Sequence, residues 1–456
     1  MEYYFYLLIF LIPFLAISPW EKHFGVPGGV LYAALVVVFL VWLTVIKPTL
    51  LKWKNIRQVP LLIPLLLFVA AGLVSLVRMA VIRGIYNIRQ DNLVETGYLI
   101  FSVVFYWAIV NFVDNRQKLV RSIVVFVAAA STASVYGLAR MILYMVGSKY
   151  GEAYAWTVPR LAATAGEPQV FGGFIITILP LAVAVVLFRI TALKNGWNFL
   201  AIPVLVLAVL MTYSAGAWAG FGLALVFLAV WLPYYNFRQA VSVFLIFVVV
   251  GLSIVLIDKT IYPNYLEAFN SITYKFTGKV PPPAKFQNKD TYQVLRENSG
   301  LTPNSKDAKY MESLRSKVER SWFREALWSM FKSSPVLGIG PGNFEKDYSR
   351  FRPTGSEDPP YIPKPHNQYM EILAETGLVG SVAFAAVIIC LAAGLYRAWC
   401  GGAREDRKLL IAMTASLLAV GVHGYSFGIL VHVQVWLLLA LTVALTVISR
   451  PLSGRY

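Results

Sequence analysis

The chain has 456 residues, of which 58% are hydrophobic and only 14% charged, and its mean hydropathy is +0.64. These values exclude an ordinary soluble globular protein and point to a polytopic helical membrane protein. A formal net charge of +17 raises nucleic acid as a partner, but the basic residues are scattered between apolar runs without interleaved aromatics, so no nucleic-acid binding is expected.

The amino terminus has no basic stretch ahead of its first apolar run and no small-residue cleavage site, so that run reads as an uncleaved span. Runs long enough for a ~30 Å hydrocarbon core fall at about 3–18, 27–46, 60–77, 97–113, 119–146, 170–190, 199–213, 216–233, 240–257, 378–396, 408–424 and 430–448. They predict an all-α polytopic membrane protein with about 12 transmembrane helices and both termini on one side. The seventh and eighth form one apolar run interrupted at Ser214-Ala215-Gly216-Ala217. A single helix of that length would overshoot the bilayer, so a tight turn is expected there. The two cysteines, Cys390 and Cys400, sit in or beside one late span and imply neither a disulfide framework nor a cysteine metal site.

Lysine and arginine set the orientation. With a cytoplasmic amino terminus, the short loops opposite carry only Lys22, Arg78, Arg83, Arg89, Lys149 and Arg160, and the cytoplasmic side is far richer in basic residues. By the positive-inside rule, this divides the chain into spans over 1–257, one large extracytoplasmic loop over 258–377, and the last spans over 378–456.

That loop is partly helical. Pro281-Pro282-Pro283 and the polar run from Asn298 to Lys309 are expected to be loose. From about 312 to 332 the apolar residues Leu314, Val318, Trp322, Phe323, Ala326, Leu327, Met330 and Phe331 recur at helical spacing. Lys317, Arg320 and Arg324 line one edge of that face. Pro335 ends the helix, and Gly338, Gly340 and Gly342 predict a tight turn. The turn lacks a following Lys-Ser or Lys-Thr and is no phosphate-binding Walker loop.

The loop closes on His366, which follows Pro365 at the start of a helix running back into the membrane. The positive end of a helix dipole favours neutral imidazole, a proton acceptor. The competing reading is an N-capping or interfacial histidine. His23, His423 and His432 read as structural. Arg320 suits bidentate phosphate binding and equally headgroup snorkelling. Arg324 and Lys317 favour snorkelling, as do Arg78, Arg83 and Arg89, for which lipid-phosphate contact is the sharper alternative. Arg160 taken alone passes as an interface anchor. The loop holds no Asp-x-Asp pair and no histidine cluster at ligand spacing, so neither metal nor other cofactor is expected. Nearly charge-free spans, with Arg140 the main exception, argue against an ion-coupled pump.

Three stretches resemble the O-antigen ligase and polymerase superfamily of bacterial envelope glycosyltransferases. RSWFREALWSMFKSSPVLGIGPGNF, from Arg320 to Phe344, resembles the family's arginine helix and its following glycine turn. HNQYMEILAETGLVG, from His366 to Gly380, resembles its most specific signature. RLAATAGEPQVFGGF, from Arg160 to Phe174, resembles a shorter arginine motif on the donor side. Many members carry Ser-Arg where this chain has Ser214-Ala215.

The resemblance implies a GT-C-like inner-membrane enzyme with its active site facing the periplasm. Its donor would be an O-antigen glycan on undecaprenyl diphosphate, with the lipid tail in a groove between spans, and its acceptor a sugar hydroxyl of lipid A-core anchored in the same leaflet. His366 would be the general base, Arg160, Arg320, Arg78 and Arg83 would hold the diphosphate, and Asn367, Gly338, Gly340 and Arg324 would shape the site or position the acceptor. Polymerase and protein O-oligosaccharyltransferase activities share these motifs. A lipid-linked glycan flippase is the reading outside the class.

Overall fold

The computed structural model describes residues 2–14, 36–46, 59–84, 90–155, 159–188, 197–231, 306–354 and 364–449, with a few shorter pieces. The predicted spans at 27–46 and 240–257 are described only in part. The loop residues 258–305, including the proline run, lie outside the described residues.

The helices are α1 (Glu2–Leu11), α2 (Leu62–Arg83), α3 (Gln90–Phe112), α4 (Arg116–Met145), α5 (Pro168–Ile176), α6 (Leu179–Leu187), α7 (Trp197–Met211), α8 (Ala215–Val230), α9 (Lys306–Ser333), α10 (Phe344–Phe351), α11 (Gln368–Gly401), α12 (Arg404–Gly424) and α13 (Val433–Ile448). Among the described residues, β-structure is confined to one two-residue antiparallel ladder, β1 (Tyr154–Ala155) with β2 (Pro159–Arg160). Among the described residues, five segments are long and apolar enough to cross a membrane: Leu62–Ile82, Asn92–Phe112, Arg116–Met145, Pro168–Leu187 and Gln368–Gly401; four apolar helices are shorter.

The helices are apolar on more than one face, as a lipid-facing bundle requires. Helix α2 buries Leu62, Leu65, Phe68 and Met79 but exposes Ile63, Leu67, Val77 and Val81. The α5–α6 pair is central instead, with every residue of α6 buried. Helix α6 packs on α12, α8 on α12, α2 on α11 and α3 on α13. The turn expected near Ser214 is present: α7 ends at Met211, Tyr213 takes a positive φ of 48°, and the Ser214 side chain caps α8 by accepting from the amide of Ala217 at 3.4 Å.

Helix α9 begins at Lys306, six residues earlier than the apolar periodicity indicates, so Lys306 to Lys309, the end of the polar run expected to be loose, are helical. Its buried stripe is Phe323, Ala326, Leu327 and Met330. It packs on Ile339, on Phe344 and Tyr348 of α10, and on Ala374 of α11, while Trp328 faces outward.

Helix α11 is two helices in line, broken at Gly377 (φ 63°, ψ −162°). A break of this kind frees the carbonyls before it and the amides after it, and each freed group needs a partner. The turn after α9 supplies all four. The amides of Ile339 and Gly340 donate to the carbonyls of Ala374 (3.0 Å) and Glu375 (2.9 Å), and the amides of Leu378 and Val379 donate to those of Pro335 (2.8 Å) and Val336 (3.1 Å). Helix α2 braces the crossing: Ser75 Oγ donates to the Glu375 carbonyl at 2.7 Å, and Arg78 reaches the Gly338 carbonyl at 3.1 Å.

Gly338 and Gly377 both have positive φ, and a Cβ on either would overlap the backbone of the opposite segment. The Gly377→Ala variant should therefore lose about 1–3 kcal/mol from φ alone and more from the overlap. Thermal unfolding of the detergent-purified protein should show a clear drop in midpoint; an unchanged midpoint would mean that the two segments do not cross this closely.

Candidate active site

The crossing fixes the start of α11, and with it His366. Asn367 caps the helix, its Oδ1 accepting from the amides of Tyr369 and Met370, each at 3.1 Å. The capping role open to His366 in the sequence is thus taken by its neighbour. His366 is left just outside the helix with a positive φ of 50°, a conformation uncommon for residues other than glycine. Its ring lies 6.2 Å from the Phe323 ring of α9 at an interplanar angle of 27° and 6.3 Å from Phe427.

Among the described residues Nδ1 of His366 is shut off from solvent without a hydrogen-bond partner. Burial, then the charges of Arg320 and Lys364, lowers its pKa to about 3. The imidazole is neutral at any physiological pH. Replacing Asn367 with alanine removes the cap, at a cost of about 0.5–2 kcal/mol, and frees the loop that aims His366. The expected result is a lower unfolding midpoint together with reduced activity, partly restored by Asn367→Asp; activity at the wild-type level in Asn367→Ala would separate the cap from the site.

Arg320 stands one helical turn before Phe323 on α9, close enough for its charge to act on His366. Arg324, a further turn along, is exposed. Arg160 lies in β2, where Nε donates to the carbonyl of Thr212 at 3.0 Å and Nη2 to that of Tyr213 at 3.2 Å, so it grips the break between α7 and α8. Lys364 pairs with Glu167 at 3.6 Å. The approach to His366 therefore touches the loop running from Arg160 into α5.

Arg78 is committed elsewhere with one guanidinium nitrogen: Nη1 donates to Ser334 Oγ at 2.5 Å and to the Gly338 carbonyl at 3.1 Å. Gly338 and Gly340 belong to the crossing beneath the site. The side chain of Arg83 lies outside the described residues, as does Arg89.

Two features were not legible in the sequence. His423 and His432, which read as structural, stack on Phe427, the same ring that walls His366: their centroids lie 5.5 Å and 5.6 Å from it. A cleft between α2, α3 and α11 gathers Glu95, Tyr98, Gln368, Glu371 and Glu375. In it Gln368 Nε2 donates to Glu371 at 3.1 Å, and Glu375 accepts from the amide of Phe344 at 3.1 Å. The four-residue spacing of Glu371 and Glu375 was the available signal for this cleft.

Residues 200–385 match the family model described as O-antigen ligase. The matched segment contains Arg320, the glycine turn, His366 and the crossing; it supports membership of the O-antigen ligase/polymerase superfamily. No curated protein matches the chain.

Proposed function

We propose that this chain, a member of the O-antigen ligase/polymerase superfamily, is an O-antigen ligase: a metal-independent, inverting glycosyltransferase. It moves a glycan from undecaprenyl diphosphate to a sugar hydroxyl of lipid A-core at the periplasmic face of the bacterial inner membrane. One observation carries the reading. A neutral imidazole with an unclaimed Nδ1 is held within the field of Arg320 by a capped helix end.

Outside the cytoplasm there is no nucleotide supply, so the sugar must arrive already activated, and a lipid diphosphate is a leaving group that guanidinium groups can stabilise. His366 takes the proton of the acceptor hydroxyl, whose oxygen attacks the anomeric carbon as the bond to the diphosphate oxygen breaks. Arg320 and Arg160 bind the departing diphosphate, with Arg78 and Arg83 as further candidates. Asn367 aims the base, and Gly338, Gly340 and Arg324 shape its surroundings.

The low basicity of His366 suits this order of events. Arg320 and Lys364 depress it while the site is empty, and an arriving diphosphate offsets their charge, so the base strengthens when the donor is in place. Neutral lipid-linked glycan flipping would need no such base.

Deleting the gene from a strain that makes O-antigen tests the reading. Ligase loss leaves bare core with polymer accumulating on the lipid carrier. Core capped by a single repeat would identify a polymerase instead, and unchanged lipopolysaccharide would remove both.

A further inference from the structure

Three consecutive residues at the start of α11 have different tasks. His366 presents its ring, Asn367 caps the helix, and Gln368 reaches across to another part of the chain. Its side chain is buried, and its Oε1 accepts from the amides of Ile429 at 2.7 Å and Leu430 at 2.9 Å. Those amides lie in the connection between α12 and α13, outside either helix. A buried amide needs an acceptor, and the two lone pairs of one carbonyl oxygen serve both.

The other end of the amide is held as well. Nε2 donates to Glu371, one turn along α11, at 3.1 Å. With two donors at one end and a carboxyl group at the other, a single orientation of the Gln368 amide satisfies every contact. On the far side of the pair, the Leu430 carbonyl accepts from Nε1 of Trp436 in α13 at 2.7 Å. The connection is thus gripped from both α11 and α13.

Phe427 stands two residues before the gripped amides. It is buried, its ring lies 6.3 Å from that of His366, and His423 and His432 stack on it. Phe427 is one wall of the His366 ring and Phe323 of α9 another. Burial is the largest cause of the low proton affinity of His366, ahead of the charges of Arg320 on α9 and Lys364 on its own segment. Lys364 in turn pairs with Glu167, ahead of α5.

We propose that Gln368 is a positioning residue: by tying the α12–α13 connection to the helix start that carries His366, it holds Phe427 against the imidazole. The proposal rests on the reading of His366 as the base. Residues 366 and 368 then act as one unit, the first supplying the ring and the second keeping its wall in place.

The test is the titration of His366 in the detergent-purified full chain, followed by its imidazole ¹⁵N signal. The chain has four histidines, so the signal can be assigned by replacing the others. In wild type the ring should show no transition near 6.5, the ordinary value, because its pKa is lowered to about 3. Gln368→Met keeps the volume and loses both hydrogen-bonding ends. The connection then loosens, water reaches the ring, and the His366 midpoint should rise by about one unit or more, a fraction of the 3–5 units that full burial can impose. Gln368→Glu combined with Glu371→Gln exchanges the acceptor and the donor between the two positions, so both backbone amides keep their partner and the midpoint should return most of the way to wild type.

A brace that only stabilises the fold would lower the unfolding midpoint of Gln368→Met and leave the His366 titration where it is in wild type; that result would overturn the proposal. If Gln368→Met does not fold, Phe427→Ala removes the wall alone. A raised midpoint there, beside a near-wild-type midpoint in the exchanged pair, would support the proposal, and an unmoved midpoint in Phe427→Ala would overturn it. The acid limb of kcat/KM for glycan transfer should follow the ring, with activity lost at higher pH in Gln368→Met than in wild type. A raised titration without a matching limb would leave Gln368 its role and remove His366 as the base, so the two claims fail separately.

Discussion

His366→Ala loses glycan transfer by about 10²–10⁴-fold, the range spanned by general-base catalysis, in a protein that still folds and inserts. The prediction follows from the position of the ring. His366 is not the helix cap, since Asn367 fills that role, and its ring bridges Phe323 and Phe427 without a hydrogen bond at Nδ1 among the described residues. Removing it should cost packing, not the helix.

The same group fixes the pH dependence. Its pKa in the free protein is lowered to about 3, so the neutral, proton-accepting form predominates above that value and is lost as pH falls through it. The ratio kcat/KM, which reports the free enzyme, should show no acid limb near 6.5, the ordinary value for imidazole. A limb at that position, absent in His366→Gln, would show that the ring is more exposed or less crowded by charge. Near-normal transfer by His366→Ala would remove it from the chemistry.

Arg320→Ala should lower transfer by about 10²–10³-fold, comparable to removing one preorganised donor from a developing anion. Arg320→Lys keeps the charge but loses the planar fork, so it should recover only a small part of the activity. Full activity with lysine would reduce Arg320 to a point charge; full activity with alanine would leave the diphosphate to other residues. Arg324→Ala, on the exposed side of the same helix, should have a far smaller effect. The contrast between the two arginines separates a site residue from a general attraction to lipid headgroups.

How far the sequence revealed the fold depended on the range of the interaction. Helices such as α8 and α13 are apolar runs without a charged residue, and the stripe Phe323, Ala326, Leu327 and Met330 repeats at the period of one buried face. Such local patterns carry their own signal. The crossing at Gly377 does not, because its four hydrogen bonds join residues 335–340 to residues 374–379, and no composition or spacing announces which distant backbone completes a broken helix. The glycines at 338 and 377 were visible, but their mutual contact was not.

The site divides in the same way. His366 and Arg320 stood out because each sits in a polar stretch at helical register with apolar neighbours. Arg78 read as a snorkelling residue at a helix end, yet it turns inward to Ser334 and Gly338. His423 and His432 read as structural because each borders an apolar span, where a lone histidine carries no pattern. Only the fold brings them to Phe427, and only the fold shows that Gly173 and Gly216 make room for His423.

On the proposed function, this chain itself moves a glycan from a lipid diphosphate to an acceptor hydroxyl. Reconstitution tests it most directly: purified protein, undecaprenyl-diphosphate-linked O-antigen and lipid A-core are incubated in detergent with a metal chelator, and the product is isolated and its anomeric configuration read by NMR. Glycan should be joined to lipid A-core with inverted configuration, with one undecaprenyl diphosphate released per transfer. Retained configuration, or intact donor beside unmodified acceptor, would contradict it.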